Sequence, residues 1–370
     1  MAVQFQSVAA VAPLLSDAFG VSLAEIGMLI GFYFAPGVVL ALPGGAIGNR
    51  LGDKQSVIAA LLVMLIGELA MALSASWPVQ IAGRLVGGAG GVMLNVQMTK
   101  MVADWFVGHK IATAMAIFVN SWPAGIAVSL LTLPLIGTAF GVGAAYLAVA
   151  AFIALALVFF ALTYHAPAKI TAVAAASVRL DRNTLIAVIT AGVIWGLFNV
   201  GFAMIFSFGP SMLVERGWSI SSAGSVISIV LWLAVASVPL GGFVADRTGR
   251  PDYVLVAGCI VFAVGMIALP RSEAVVLIVT ALGLISGLPA GPILSLPARV
   301  LKRETRAIGM GIFYTLYYAT MMLGPVVAGA HAKWTGHAAS AFDFGAAVLL
   351  ACPALLWGFN RLPVARPKMA

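Results

Sequence analysis

Three full charges stand inside otherwise apolar runs of this chain, Glu68, Arg84 and Asp343. A carboxylate or guanidinium in apolar surroundings is costly, and such groups usually pair, hold an ionic solute or pass a proton, so each is a functional candidate. Glu68 and Arg84 fall at similar depth on consecutive runs and are expected to couple or form an ion pair. Asp343 lies near the end of its run, within reach of water. Other chemistry is missing from the pattern. The histidines His109, His165, His331 and His337 show no HExxH spacing, and there is no GxSxG, phosphate-binding loop or CxxC. Cys259 and Cys352 have no metal-ligand spacing and read as small buried apolar residues. No enzyme, metal or cofactor is expected.

Uncharged polar and aromatic groups cluster nearer the middle of the runs: Gln4 and Gln6, Asn120 to Trp122, Trp195 and Asn199, and Tyr314, Tyr317 and Tyr318. Amides without water must face something polar, which makes them candidate substrate contacts together with Arg84. Trp195 and Asn199 are four apart and share a helix face, as do Tyr314 and Tyr318. Phe32, Tyr33 and Phe34 divide between cavity and packing.

These residues sit in a chain of 370 residues that is 62% hydrophobic and only 9% charged, against about a quarter charged in soluble domains. Apolar stretches of the roughly 20 residues needed to cross a bilayer recur throughout. Twelve are read: 1 to 17, 25 to 47, 56 to 75, 78 to 99, 111 to 135, 140 to 164, 185 to 208, 219 to 241, 253 to 270, 274 to 299, 307 to 331 and 338 to 360. Their apolar residues are continuous rather than alternating, so they are helices and not barrel strands. The class is all-α integral membrane protein.

The net charge of +8 is topological. With loops assigned alternately to the two sides, sixteen of the 20 basic residues fall on one side, among them Lys54, Lys100, Arg247, Arg250, Arg299 and Arg361. The positive-inside rule makes that side cytoplasmic and puts both termini there. Membrane lipid is the expected surrounding, nucleic acid is not a partner, and the chain is expected to be a monomer in the cytoplasmic membrane. No charged region precedes the first apolar residues, so no cleavable signal is read. The first span looks short at its cytoplasmic end.

The spans repeat. An offset of 197 positions carries Pro13, Gly20, Ser22, Gly27, Gly45, Arg50 and Gly52 onto Pro210, Gly217, Ser219, Gly224, Gly242, Arg247 and Gly249. At an offset of 195, "AMAIF" from 114 matches "GMGIF" from 309. The chain therefore divides into a six-helix bundle over 1–164, a cytoplasmic linker over 165–184 and a second six-helix bundle over 185–370. An even number of spans gives the two bundles the same orientation, with a solute site expected between them.

Two polar turns carry a family resemblance. Gly242, Asp246, Arg247, Gly249 and Arg250 match the GxxxDRxGR signature of the major facilitator superfamily after the eighth span. Gly45, Asn49, Arg50, Gly52, Asp53 and Lys54 form a second copy after the second span, with Asn in place of the usual Asp. The run "RLVGGAGG" from Arg84 resembles a further signature of that family on its fourth span. The resemblance implies two parallel six-helix pseudo-repeats and transport of a small solute by alternating access; without a nucleotide-binding domain the drive is a gradient, with protons one candidate coupling ion. It implies a latch as well: Asp246 capping a neighbouring helix, and Arg247 bridging to carboxylates across the seam between halves.

The signatures expected of drug antiporters and nitrate porters are incomplete. The chain looks most similar to the cyanate and organic-anion porter branches, and Arg84 favours a small organic or inorganic anion. A drug or metabolite exporter of the same fold, or a receptor that uses it without transport, are the alternatives.

Overall fold

A computed structural model describes residues 1–40, 52–105, 111–165, 180–302 and 305–363. Its described residues form twelve long helical segments, here α1 to α12. Span α1 consists of Ala2–Ala10 and Ala12–Phe19, and α2 of Leu23–Phe32 and Ala35–Leu40. They are followed by α3 (Asp53–Ala72), α4 (Trp77–Trp105), α5 (Ile111–Phe140) and α6 (Val142–Thr163). The second half comprises α7 (Arg182–Glu215), α8 (Ile220–Thr248) and α9 (Pro251–Ala268, with a 3-10 turn Leu269–Arg271). It continues through α10 (Val275–Ser286, Ala290–Ser295 and a 3-10 turn Pro297–Arg299), α11 (Arg306–Thr335) and α12 (Ser340–Arg361).

By length and composition, ten of these are apolar enough to cross a membrane among the described residues. The other two are α1, broken at Val11, and α4, whose 29 residues carry a buried arginine and a glycine run. The sequence-derived limits hold at the starts of most spans. Several spans run on past their expected ends at 208 and 241: α7 reaches Glu215 and α8 reaches Thr248. Extending a helix satisfies backbone groups that would otherwise need other partners, and that matters more in lipid than hydropathy does. Fourteen of the linker residues, 166–179, lie outside the described residues. Its last part holds Asp181, which caps α7; the Thr184 hydroxyl and N–H hold its carboxyl below the ordinary carboxylate range.

The repeat seen in the sequence is present in the backbone. Six described glycines adopt positive φ, and they pair off: Gly20 (63°) with Gly217 (87°), Gly52 (80°) with Gly249 (62°), and Gly141 (84°) with Gly336 (78°). Positive φ is cheap only for glycine, so each pair marks the same interhelix connection in the two halves, although Gly52 and Gly141 lead into a helix with ψ of 156° and 168° while Gly249 and Gly336 end one with ψ of 16° and 5°. Side chains repeat the theme. Asp53 at the start of α3 receives Lys100 Nζ at 2.8 Å and Gln97 Nε2 at 2.7 Å from α4. Asp252 at the start of α9 receives Arg299 at 2.6 Å from α10 and the Asn360 amide at 2.8 Å from α12. Both ion pairs span 47 residues and tie the third helix of a half to its fourth.

The halves meet along three seams, α1 with α7, α2 with α11 and α5 with α8. Lys100, Arg247, Arg299 and Arg361 mark one end of the bundle, hereafter the basic end. At the opposite end, the aspartate expected to reach water, Asp343, is gripped by both terminal nitrogens of Arg271 at 2.8 and 3.0 Å. That pair is half exposed, whereas the Asp252–Arg299 pair is more enclosed, its arginine side chain only 14% exposed. Exposed pairs contribute little. Arg299→Gln is therefore expected to lower the melting temperature by about 3–6 °C, and Arg271→Gln by less than about 2 °C. Thermal unfolding of the two variants in one detergent measures the difference.

Candidate functional site

Arg84 is 1% exposed and sits inside the first half, where it makes three hydrogen bonds to main-chain carbonyls. Its Nε donates to Leu29 O at 3.0 Å, and its terminal nitrogens donate to Gln4 O at 2.7 Å and Phe5 O at 2.5 Å. The guanidinium lies over the Tyr33 ring at 4.6 Å. One of these carbonyls needs the help, because α2 breaks at Tyr33 and the Tyr33 N–H turns to Ile30 O instead of Leu29 O. Arg84 thus fastens α4 to α1 and to the break in α2.

The direct Glu68–Arg84 ion pair expected from their depth does not form. Glu68 is fully buried on α3 and neither of its oxygens completes a hydrogen bond. Its neighbours are committed elsewhere: Gln4 Nε2 donates to Met64 O, Ser7 Oγ to Gln4 O, and Arg84 to its carbonyls. The buried Tyr146 hydroxyl on α6 is also without a partner. Asp343 stands apart from this group, in its pair with Arg271.

Between the halves lies an aromatic junction. Phe5 stacks on Trp122 at 5.5 Å and touches Phe34 at 4.9 Å and Phe206 at 6.1 Å. Phe34 in turn meets Tyr317 and Tyr318, and Tyr317 meets Trp195 and Tyr314. Five residues expected at the cavity, Trp122, Trp195, Tyr314, Tyr317 and Tyr318, are therefore linked through rings of α1 and α2 that hydropathy alone does not distinguish from packing. Tyr318 is buried, and its hydroxyl receives the Asn95 amide at 3.2 Å. Asn199 turns back on its own helix to Trp195 O at 2.7 Å.

Besides Asn95, two more amides cross between the halves, and both find carbonyls that prolines have freed. Pro210 has no N–H for Phe206 O, and Gln6 Nε2 supplies one at 2.7 Å from α1. Pro239 likewise frees Val235 O, which receives Asn120 Nδ2 at 3.3 Å from α5. Toward the opposite end the seams close on glycine. A Cβ on Gly27 of α2 would land on the Pro325 carbonyl of α11, and one on Gly224 of α8 would land on the Leu130 carbonyl of α5. The sequence offset maps Gly27 onto Gly224, and these contacts are one arrangement used twice.

The basic end is different. The expected latch is not engaged: among the described residues the exposed Asp246 side chain caps no helix, and Arg247 bridges to no carboxylate but lies over Phe243 at 5.9 Å. Arg250 similarly lies over Tyr253 at 5.7 Å. The backbone of Gly242 packs closely on Gly291 of α10, although a Cβ on Gly242 itself would meet nothing, and Gly249 ends α8 in the left-handed conformation. Gly45, Asn49 and Arg50 lie outside the described residues, and Gly52 forms the turn into α3. The paired acids at this end are Asp53 and Asp252, placed just after the signature glycines.

Because Arg84 serves three carbonyls, Arg84→Gln is expected to reduce folded yield and stability by roughly 2–4 kcal/mol. A second Glu68→Gln change is expected not to restore it, since no ion pair is there to balance. Unfolding of the single and double variants in urea with matched detergent reads this out, and rescue by Glu68→Gln contradicts it.

The geometry has known relatives. The family model described as Major Facilitator Superfamily matches residues 1–212 and again 184–368. The chain is 24% identical over 253 residues to a hexuronate transporter of Bacillus subtilis, a match that takes in 64% of this chain and spans only 58% of that protein's length. Among solved structures, a D-xylose-proton symporter superposes with a TM-score of 0.77 at 15% identity, covering 97% of this chain and 95% of the other. A bacterial homologue of the human lysosomal transporter Spinster, in an inward-facing and occupied conformation, gives 0.76 at 16% identity, covering 98% and 94%. At such identity the likeness is one of fold. With two overlapping family matches that together span nearly the whole chain, this multi-pass membrane protein belongs to the Major Facilitator Superfamily.

Proposed function

We propose that the chain is a secondary transporter that moves small solutes by alternating access, with the basic end cytoplasmic. The observation that carries this reading is the contrast between the two ends of the seams. Toward the opposite end, glycines on α2 and α8 sit on carbonyls of α11 and α5. At the basic end, Asp246 and Arg247 are exposed and hold nothing across the seam among the described residues. A bundle sealed at one end, and with no tie across the seam at the other among the described residues, fits one half of an alternating cycle. Orientation follows the basic excess, and with it both termini are cytoplasmic.

Proton coupling is part of the proposal, and Glu68 is its seat. A buried carboxyl that completes no hydrogen bond on either oxygen, with Gln4 and Ser7 beside it, is a place where a proton can be held. An anionic solute has less support than the sequence suggested, because the guanidinium that favoured it is engaged by Leu29, Gln4 and Phe5 carbonyls. What still speaks for an anion is the relative named as a hexuronate transporter.

Uptake of radiolabelled monosaccharides, hexuronates and amino acids into proteoliposomes tests the reading. The expected result is uptake of at least one class above protein-free vesicles, reduced by a protonophore. Gly27→Leu, which places a side chain on the Pro325 carbonyl, is expected to reduce that uptake tenfold or more. Absence of uptake for every probe would overturn the assignment.

A further inference from the structure

Two buried polar atoms beside the aromatic junction have no partner. Gln6 is 0% exposed and its Nε2 is spent on Phe206 O, but its Oε1 accepts nothing. Ser207, 1% exposed and next to Phe206, has a hydroxyl that neither donates nor accepts. Helical serines commonly close onto the carbonyl four residues back, as Ser129 does onto Gly125 O. Ser207 does not. Buried groups left open in this way call for an explanation, and a bound hydrogen-bonding molecule supplies one.

The surroundings narrow its chemistry. Phe5 is adjacent to Gln6 in sequence, Phe206 is adjacent to Ser207, and the two rings meet at 6.1 Å with Trp122 stacked on Phe5. Aromatic faces suit the C–H side of a ring-shaped solute. One cation stands near, Arg84, 5.7 Å from the Phe5 ring; three of its five N–H groups go to main-chain carbonyls, and the buried Glu68 carboxyl opposes its charge, so little positive field is left for an anion. The charges of α7, Arg182 and Glu215, sit at its two ends, α5 has none, and Asp17 lies far along α1.

We propose that Gln6 Oε1 and Ser207 Oγ form a substrate subsite on the α1–α7 seam that takes a neutral, hydroxylated ring solute. A solute hydroxyl donates to Gln6 Oε1, the Ser207 hydroxyl donates to or accepts from a second one, and Phe5, Trp122 and Phe206 cover the ring. The subsite rests on the carrier reading and deepens it: the residue that receives the solute is also the one that bonds the orphaned Phe206 carbonyl across the halves. Occupancy is thereby tied to the seam.

Tryptophan fluorescence quenching of purified protein in nanodiscs tests the subsite, with D-glucose and D-glucuronate as paired probes. Glucose is expected to bind with a Kd at least tenfold lower than glucuronate. Gln6→Leu is expected to raise the glucose Kd about tenfold. Because that change also strips the donor from Phe206 O, Ser207→Ala provides a second reading, with an expected increase of about fivefold and an unchanged melting temperature. Glucuronate binding as tightly as glucose, an unchanged glucose Kd in Ser207→Ala, or no quenching by either sugar would each overturn the subsite. The carrier reading fails separately, by absence of uptake for the whole probe panel; uptake of hexuronate without glucose quenching removes the subsite alone.

Discussion

The interior of a bilayer offers no water to a carbonyl, so every break in a helix must be repaired by another protein group. That constraint organises this molecule. Prolines inside α5, α7 and α8 free carbonyls at Leu130, Phe206 and Val235. The break in α2 frees Leu29 O. Three of these are met by side chains from other helices: Gln6 and Asn120, reaching across the seams between halves, and Arg84 within the first half. The fourth, Leu130 O, lies against Gly224, where the absent side chain allows a close backbone approach. Flexibility and cohesion come from the same positions: the proline that lets a helix bend creates the acceptor that joins it to its neighbour.

Duplication gives this scheme its geometry. Three pairs of positive-φ glycines at matching connections and two ion pairs of equal sequence span recur in both halves. The seam contacts of Gly27 and Gly224 are likewise copies of one another, so closing one end takes two equivalent contacts rather than one. The polar chemistry buried inside the halves is not duplicated. Glu68, Arg84, Tyr33 and Tyr146 belong to the first half alone, and α7 carries alanine at 203 where the offset of 197 would place the counterpart of Gln6. A symmetric scaffold carrying asymmetric chemistry lets one half recognise a solute or a proton while both halves move.

Much of the scaffold was legible in the sequence, because the length of an apolar run and the spacing of glycine and proline are direct signatures of helices and turns in lipid. The aromatic and amide residues of the central junction were legible for the same reason: few polar types occur there, and each must face something. Partners were harder. Nothing in the string "RLVGGAGG" says that Arg84 meets carbonyls of α1 and α2 rather than Glu68, since a carbonyl acceptor has no residue identity. Asp246 fits its signature yet holds nothing among the described residues, while Asp53 and Asp252 just beyond the signature glycines make the ties. A missed signal was available in Pro210 and Pro239, whose positions alone specify the carbonyls that Gln6 and Asn120 reach.

The central claim is that the two ends of the seams open and close in opposition. Electron paramagnetic resonance distances between spin labels test it most directly, in a background with Cys259 and Cys352 replaced by alanine. One pair, at positions 17 and 334, spans the halves at the sealed end; the other, at 55 and 253, spans them at the basic end. When Gly27→Leu is introduced to force α2 from α11, the 17–334 distance is predicted to lengthen and the 55–253 distance to shorten. Both distances unchanged, or both moving in the same sense, would contradict the account.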